Sequence, residues 1–106
     1  MKAAARPKRV GDASKGSPKW YVRLFVAGDE PNSAIARESL DKICSTYLNG
    51  NCRVEVIDVL KDFRPALEEQ VLVTPALVIV EPGPRTVIFG NLADTGKVLA
   101  ALKVVV

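Results

Sequence analysis

The chain of 106 residues is one domain in size, and a composition of 48% hydrophobic and 25% charged residues can build a core. It has no histidine and two cysteines, Cys44 and Cys52, which excludes histidine-based metal sites, Ser-His and Cys-His nucleophile pairs, a four-thiolate zinc site and a C-x-x-C motif. The net charge of +3 is concentrated in residues 1–19, where six basic side chains face Asp12 alone; the rest of the chain carries nine basic and eleven acidic side chains and is net −2.

Residues 1–18 therefore read as a flexible basic tail and residues 19–106 as the folded domain. The tail's Ala, Pro, Gly and Ser content suits a solubilising leader. It can weakly favour polyanions, but the body lacks the positive field of a nucleic-acid-binding domain, so no specific nucleic-acid partner is expected. No apolar stretch of roughly 7–15 residues follows Met1, as a signal peptide requires. No run reaches the ~20 apolar residues that cross a bilayer. A cytoplasmic protein with reduced thiols is the expectation.

Trp20 to Ala27 is aromatic and β-branched, ends at Gly28, and predicts a central strand. Trp20 and Tyr21 point to opposite sides of it, one to the core and the other to a surface. Asp29 and Glu30 lie in a turn beside a helix N-terminus, which their charge stabilises. Asn32 or Ser33 is the expected cap of a helix whose apolar face is Ala36, Leu40, Ile43, Cys44 and Tyr47. Asn49-Gly50 stops it. Cys52 to Leu60 is a second strand, in which Val54, Val56 and Asp58 alternate with Arg53, Glu55 and Ile57. Strand, helix, strand predicts a parallel pair with a right-handed crossover.

Asp62 to Val71 predicts a short helix, with Asp62 as cap and Pro65 in its first turn. Val73 to Val80 is a third strand, with Pro75 at its start because proline cannot donate to a ladder. Glu81-Pro82-Gly83-Pro84 has the residues of a type II turn, and Thr86 to Phe89 returns antiparallel. Asn91 would cap a last helix with Leu92, Leu99, Leu102 and Val106 on its apolar face. The order β-α-β-α-β-β-α is a thioredoxin-like α/β fold with a mixed four-stranded sheet. That fold places a cis proline where Thr74-Pro75 stands.

A thioredoxin carries its reactive thiol at the start of the first helix, where the dipole lowers the thiol pKa. Here that place is Asp29-Glu30-Pro31-Asn32-Ser33, so redox catalysis is not expected. Cys44 and Cys52 read as buried free cysteines; a regulatory disulfide between them is the alternative, because the chain turns back between the two.

The blocks Tyr21 to Gly28, Pro31-Asn32-Ser33, Val56-Ile57-Asp58-Val59-Leu60-Lys61, Val73-Thr74-Pro75 and Gly90-Asn91-Leu92 resemble the KaiB family over about residues 19–104. The resemblance implies a non-catalytic, cofactor-free adaptor that docks on a KaiC-type ATPase ring to regulate its phosphorylation or timing state. KaiA or a clock histidine kinase is a further partner it implies. It also implies two folds, a thioredoxin-like binding form and a resting form, often tetrameric, with a different C-terminal half. The alternative is a thioredoxin-fold interaction module for another signalling partner, also without redox activity.

On this reading Thr74, Pro75, Gly90, Ala101 and Lys103 bear on the fold state. Ala101 and Lys103 stand where the cyanobacterial pattern has Gly and Asp, favouring the helical form by about 1.5–2 kcal/mol. Gly96 opposes by up to ~1 kcal/mol, and Val104-Val105-Val106 prefers strand. A thioredoxin-like monomer is expected, with the tetramer as the alternative. The second strand would be a sheet edge, with Arg53 and Glu55 as edge contacts. The short helix, with Arg64, Glu68, Glu69 and Gln70, would dock on the ring. For both groups the opposing reading is an ordinary solvated surface. Glu38, Glu55 and Gln70 stand where relatives commonly carry Lys, which suits a partner of different surface charge.

Overall fold

Trp20–Val26 is a seven-residue strand, β1, whose side chains alternate between two packed faces. The computed structural model describes residues 19–104; the basic segment 1–18, Val105 and Val106 lie outside the described residues. After β1 come helix α1 (Pro31–Tyr47), strand β2 (Cys52–Asp58), helix α2 (Arg64–Glu68), strands β3 (Ala76–Glu81) and β4 (Thr86–Phe89), and helix α3 (Thr95–Ala101). The sheet order is β2-β1-β3-β4, with β1 parallel to β2, antiparallel to β3, and β3 antiparallel to β4. This is the thioredoxin-like arrangement, with the Thr74–Pro75 bond cis.

Val22, Leu24 and Val26 face the larger core with Ala36, Leu40, Ile43 and Leu48 from α1 and its end, Leu77 and Ile79 from β3, and Val98, Leu99 and Leu102 near α3. Phe25 faces a smaller core with Ala66, Val71, Ala76 and Val78. Trp20 packs on the larger core and its indole Nε1 donates to the Leu102 carbonyl at 2.9 Å, anchoring the end of α3 to the start of β1.

Several boundaries differ from expectation, each for a local reason. Glu30, not Asn32 or Ser33, caps α1: its carboxylate accepts from the Asn32 and Ser33 amides at 3.1 and 2.9 Å. Ser33 is drawn inward, its buried hydroxyl donating to Glu30 and accepting from the Ala27 amide. Tyr47 is exposed, and Leu48 takes its place in the core. β2 stops at Asp58, because the Asp58 carboxylate accepts from both Gly28 N and Leu60 N at 3.0 Å and turns the chain. α2 is shorter than Asp62–Val71 and has Phe63 at its cap position; Asp62 instead accepts from the Arg64 amide. β3 begins at Ala76. Gly83 does not take the positive φ of a type II turn, and the Glu81–Pro82 and Gly83–Pro84 bonds are cis. Asp94, not Asn91, caps α3; Asn91 accepts from the Ala93 amide, and Leu92 is buried from a loop.

The ends of α2 and α3 are alike. Gln70 and Lys103 each adopt a left-handed φ, of 61° and 63°. Val71 N donates to Ala66 O and Gln70 N to Leu67 O; Val104 N donates to Leu99 O and Lys103 N to Ala100 O. These paired bonds are Schellman closures, which favour glycine at the left-handed position. Lys103 therefore lies beyond the helix, and its ammonium reaches the Gly83 carbonyl at 2.9 Å rather than the helix's last carbonyls. Its expected stabilisation of the dipole is replaced by a backbone cost. Lys103→Gly should raise stability by about 0.5–1 kcal/mol, the left-handed penalty less glycine's entropy. A lower denaturation midpoint for the variant would restore the dipole account.

Candidate functional site

Alternation along β1 sets Tyr21, Arg23 and Phe25 on the sheet face covered by α2, and the parallel register aligns them with Arg53, Glu55 and Ile57 of β2. Arg23 is the hub. Its Nε contacts Glu55 Oε1 at 2.9 Å and its Nη1 contacts Glu69 Oε2 at 2.6 Å. Tyr21 Oη donates to Glu55 at 2.8 Å, and the Arg53 guanidinium stacks 4.7 Å from the Tyr21 ring centroid. From the other side, Arg85 Nε reaches Glu69 Oε1 at 2.8 Å and its Nη2 donates to the Glu69 carbonyl. Partial burial pushes the Glu69 carboxyl up, but hydrogen bonds from Arg85 and Arg23 more than reverse this and hold it below the usual carboxylate range. Burial and the Glu55 carboxylate push the Tyr21 phenol up.

The residues singled out in the sequence thus fall into distinct roles. Arg53 and Glu55 lie over the sheet face, engaged with Tyr21 and Arg23, rather than projecting from the edge. β2 is nonetheless an edge: among the described residues it pairs only with β1. Arg64 is held by Asp62 through two contacts of 3.0 Å. Glu68 is exposed, Glu69 anchors the end of α2, and Gln70 closes that helix. Thr74, Pro75 and Gly90 are brought together where the Gly90 amide donates to the Pro75 carbonyl at 3.0 Å. Ala101 packs on the larger core.

Sequence reasoning missed the apolar surface around α2. Leu60, Phe63, Leu67, Leu72 and Val73 are each more than half exposed, and Leu72 reaches 83%. Phe63 and Leu67 are one turn apart, with the Leu67 amide bonded to the Phe63 carbonyl, so they share a helix face. The only signal was their density within fourteen residues, which reads equally as core.

The start of α1 is occupied by the Glu30 carboxylate, with Pro31 next. Its backbone hydrogen bonds from Asn32 and Ser33 hold that carboxyl low. The thiols sit at the opposite end, Cys44 in the last turns of α1 and Cys52 at the first residue of β2, both half-buried. No helix among the described residues is long and apolar enough to cross a membrane.

Comparison with known proteins agrees with this geometry. The KaiB domain family model matches residues 23–104. The circadian clock oscillator protein KaiB of Acaryochloris marina is 44% identical over 85 residues, covering 79% of this chain and 82% of the relative. That of Synechococcus elongatus is 41% identical over 83 residues, covering 78% and 81%. Among solved structures, the N-terminal domain of Synechococcus elongatus SasA matches with a TM-score of 0.65 at 23% identity, covering 96% of this chain and 94% of that one. The Drosophila thioredoxin Deadhead matches at 0.67 and 18% identity, over 86% and 88%. These two show the fold.

Glu69 joins α2 to the sheet through two arginines. Glu69→Gln should cost about 1–2 kcal/mol at pH 7. The depressed carboxyl also sets a sign for acid. Its contribution is full above the ordinary carboxylate pKa of about 4.3 and is lost as pH falls through its lower folded value. Denaturant midpoints at pH 7 and pH 3 should therefore drop less in the variant than in the parent chain. An equal drop in both would show that Glu69 titrates normally.

Proposed function

The chain belongs to the KaiB family, and on that premise we propose that it is a non-catalytic clock-type adaptor. It docks on a KaiC-type ATPase ring through α2 and the apolar residues that flank it. The observation that carries this reading is the exposure of Leu60, Phe63, Leu67, Leu72 and Val73 around a short helix fixed to the sheet. Exposed apolar groups gathered on one segment mark an interaction site, and aromatic anchors at a desolvated centre contribute most of the energy of such contacts. Arg64 and Glu68, exposed on the same helix, supply a polar rim that steers partner choice more than affinity. The sulfur-free start of α1, where a thioredoxin keeps its nucleophile, supports binding rather than thiol catalysis.

The test is fluorescence anisotropy of the labelled protein with the KaiC-type ATPase of its own genome, in the presence of ATP. Saturable binding is expected. Phe63→Ala and Leu67→Ala should each weaken it tenfold or more, while Arg64→Ala should change it less than threefold at moderate salt. Binding that survives the loss of Phe63 and Leu67 would remove α2 from the interface. No binding at tens of micromolar by a folded protein would leave a thioredoxin-fold module for a different partner.

A further inference from the structure

We propose that Cys44 and Cys52 form a dithiol modification site that closes to an intramolecular disulfide by exchange with small-molecule disulfides of the glutathione class. Two backbone bonds fold the connection between them back on itself, Gly50 N to the Cys44 carbonyl at 3.1 Å and Asn51 N to the Leu48 carbonyl at 2.8 Å, and Trp20 N ties it to β1 through the Asn51 carbonyl at 3.3 Å. Asn49 and Gly50 make the reversal in left-handed conformations. The reversal brings the two thiols together, both half-buried against the larger core to which Trp20 also packs.

The pair is asymmetric. The neighbouring Cys52 thiol holds the Cys44 thiol below the ordinary range, whereas Cys44 and burial push Cys52 up. In the proposed reaction Cys44 is the attacking sulfur. Its thiolate, having given its proton to water, attacks one sulfur of the external disulfide. The external S–S bond breaks, one external thiolate leaves and takes up a proton, and a mixed disulfide remains on Cys44. Cys52 then loses its proton, attacks the Cys44 sulfur and expels the second external thiolate, which is protonated in turn. Two protein thiols are oxidised by two electrons, and one external disulfide is reduced to two thiols.

Trp20, the sole tryptophan, is the register partner of Cys52 and reports the change. The experiment incubates the reduced, full-length protein with oxidised and reduced glutathione and follows intact mass, free thiols and Trp20 emission. The expected result is loss of both thiols and of two hydrogens in mass, with no glutathione retained, and a fall in Trp20 emission that dithiothreitol restores. Cys52→Ser should accumulate one glutathione on Cys44, and Cys44→Ser should react at least tenfold more slowly. Persistence of both thiols, a stable glutathione adduct on the parent chain, or a disulfide-linked dimer would each overturn the proposal. The parent-chain mass decides the matter even if a serine variant fails to fold.

Discussion

A four-stranded sheet has two faces to cover, and of the three helices among the described residues two lie on one of them. The other face is left to α2, five residues long, which would not be helical alone because one turn fixes too many dihedrals for too few hydrogen bonds. Three things hold it: Ala66 and Val71 buried against Phe25, Ala76 and Val78, the Schellman closure at Gln70, and the two arginines on Glu69. The polar chain from Tyr21 through Glu55, Arg23 and Glu69 to Arg85 runs across the same face. The thinness of that cover also leaves Phe63 and Leu67 in water: a single helical turn has one inward side chain, Ala66, and every other apolar residue on it must face out.

Strands and topology were legible because Trp20–Val26 is rich in aromatic and β-branched residues and Cys52–Asp58 alternates, and the parallel pair follows from the helix between them. Element ends were not. Asn32, Asp62 and Asn91 have the right chemistry for caps, but Glu30 and Asp94 won the two helices that have side-chain caps, since the preceding turn decides which carboxylate sits over the free amides. The left-handed positions of Gln70 and Lys103 were illegible because neither residue favours that conformation; burial of Val71 and Val104 on the far side of the turn selects it.

The candidate site was half legible for a related reason. Charged residues on a short helix draw attention as partner contacts, yet Arg64 is satisfied by Asp62 and Glu69 by Arg23 and Arg85. Their partners lie within the chain, and the two on Glu69 are far away in sequence, where no local pattern shows them. An apolar residue, conversely, reads as core until its neighbours are counted. Leu60, Phe63, Leu72 and Val73 read as core residues like those of the strands around them, but they flank a helix of only five residues and stay exposed.

The two ends of the sheet therefore do different things. Leu60 and Phe63 follow the C-terminal end of β2, whereas Cys52 begins that strand and Cys44 lies in the last turn of the helix that returns to it. Seven residues of strand separate these ends by roughly 20 Å. Chemistry at the thiols cannot reach the apolar surface by contact. It can act on what lies beside the thiols: the first residues of the edge strand, and Trp20, whose indole holds the Leu102 carbonyl just past α3. A bond between Cys44 and Cys52 would tighten the β1-α1-β2 unit and leave α2 untouched. Its influence on the C-terminal half passes through Trp20 and Leu102, whose hydrogen bond ties the start of the sheet to the end of the final helix.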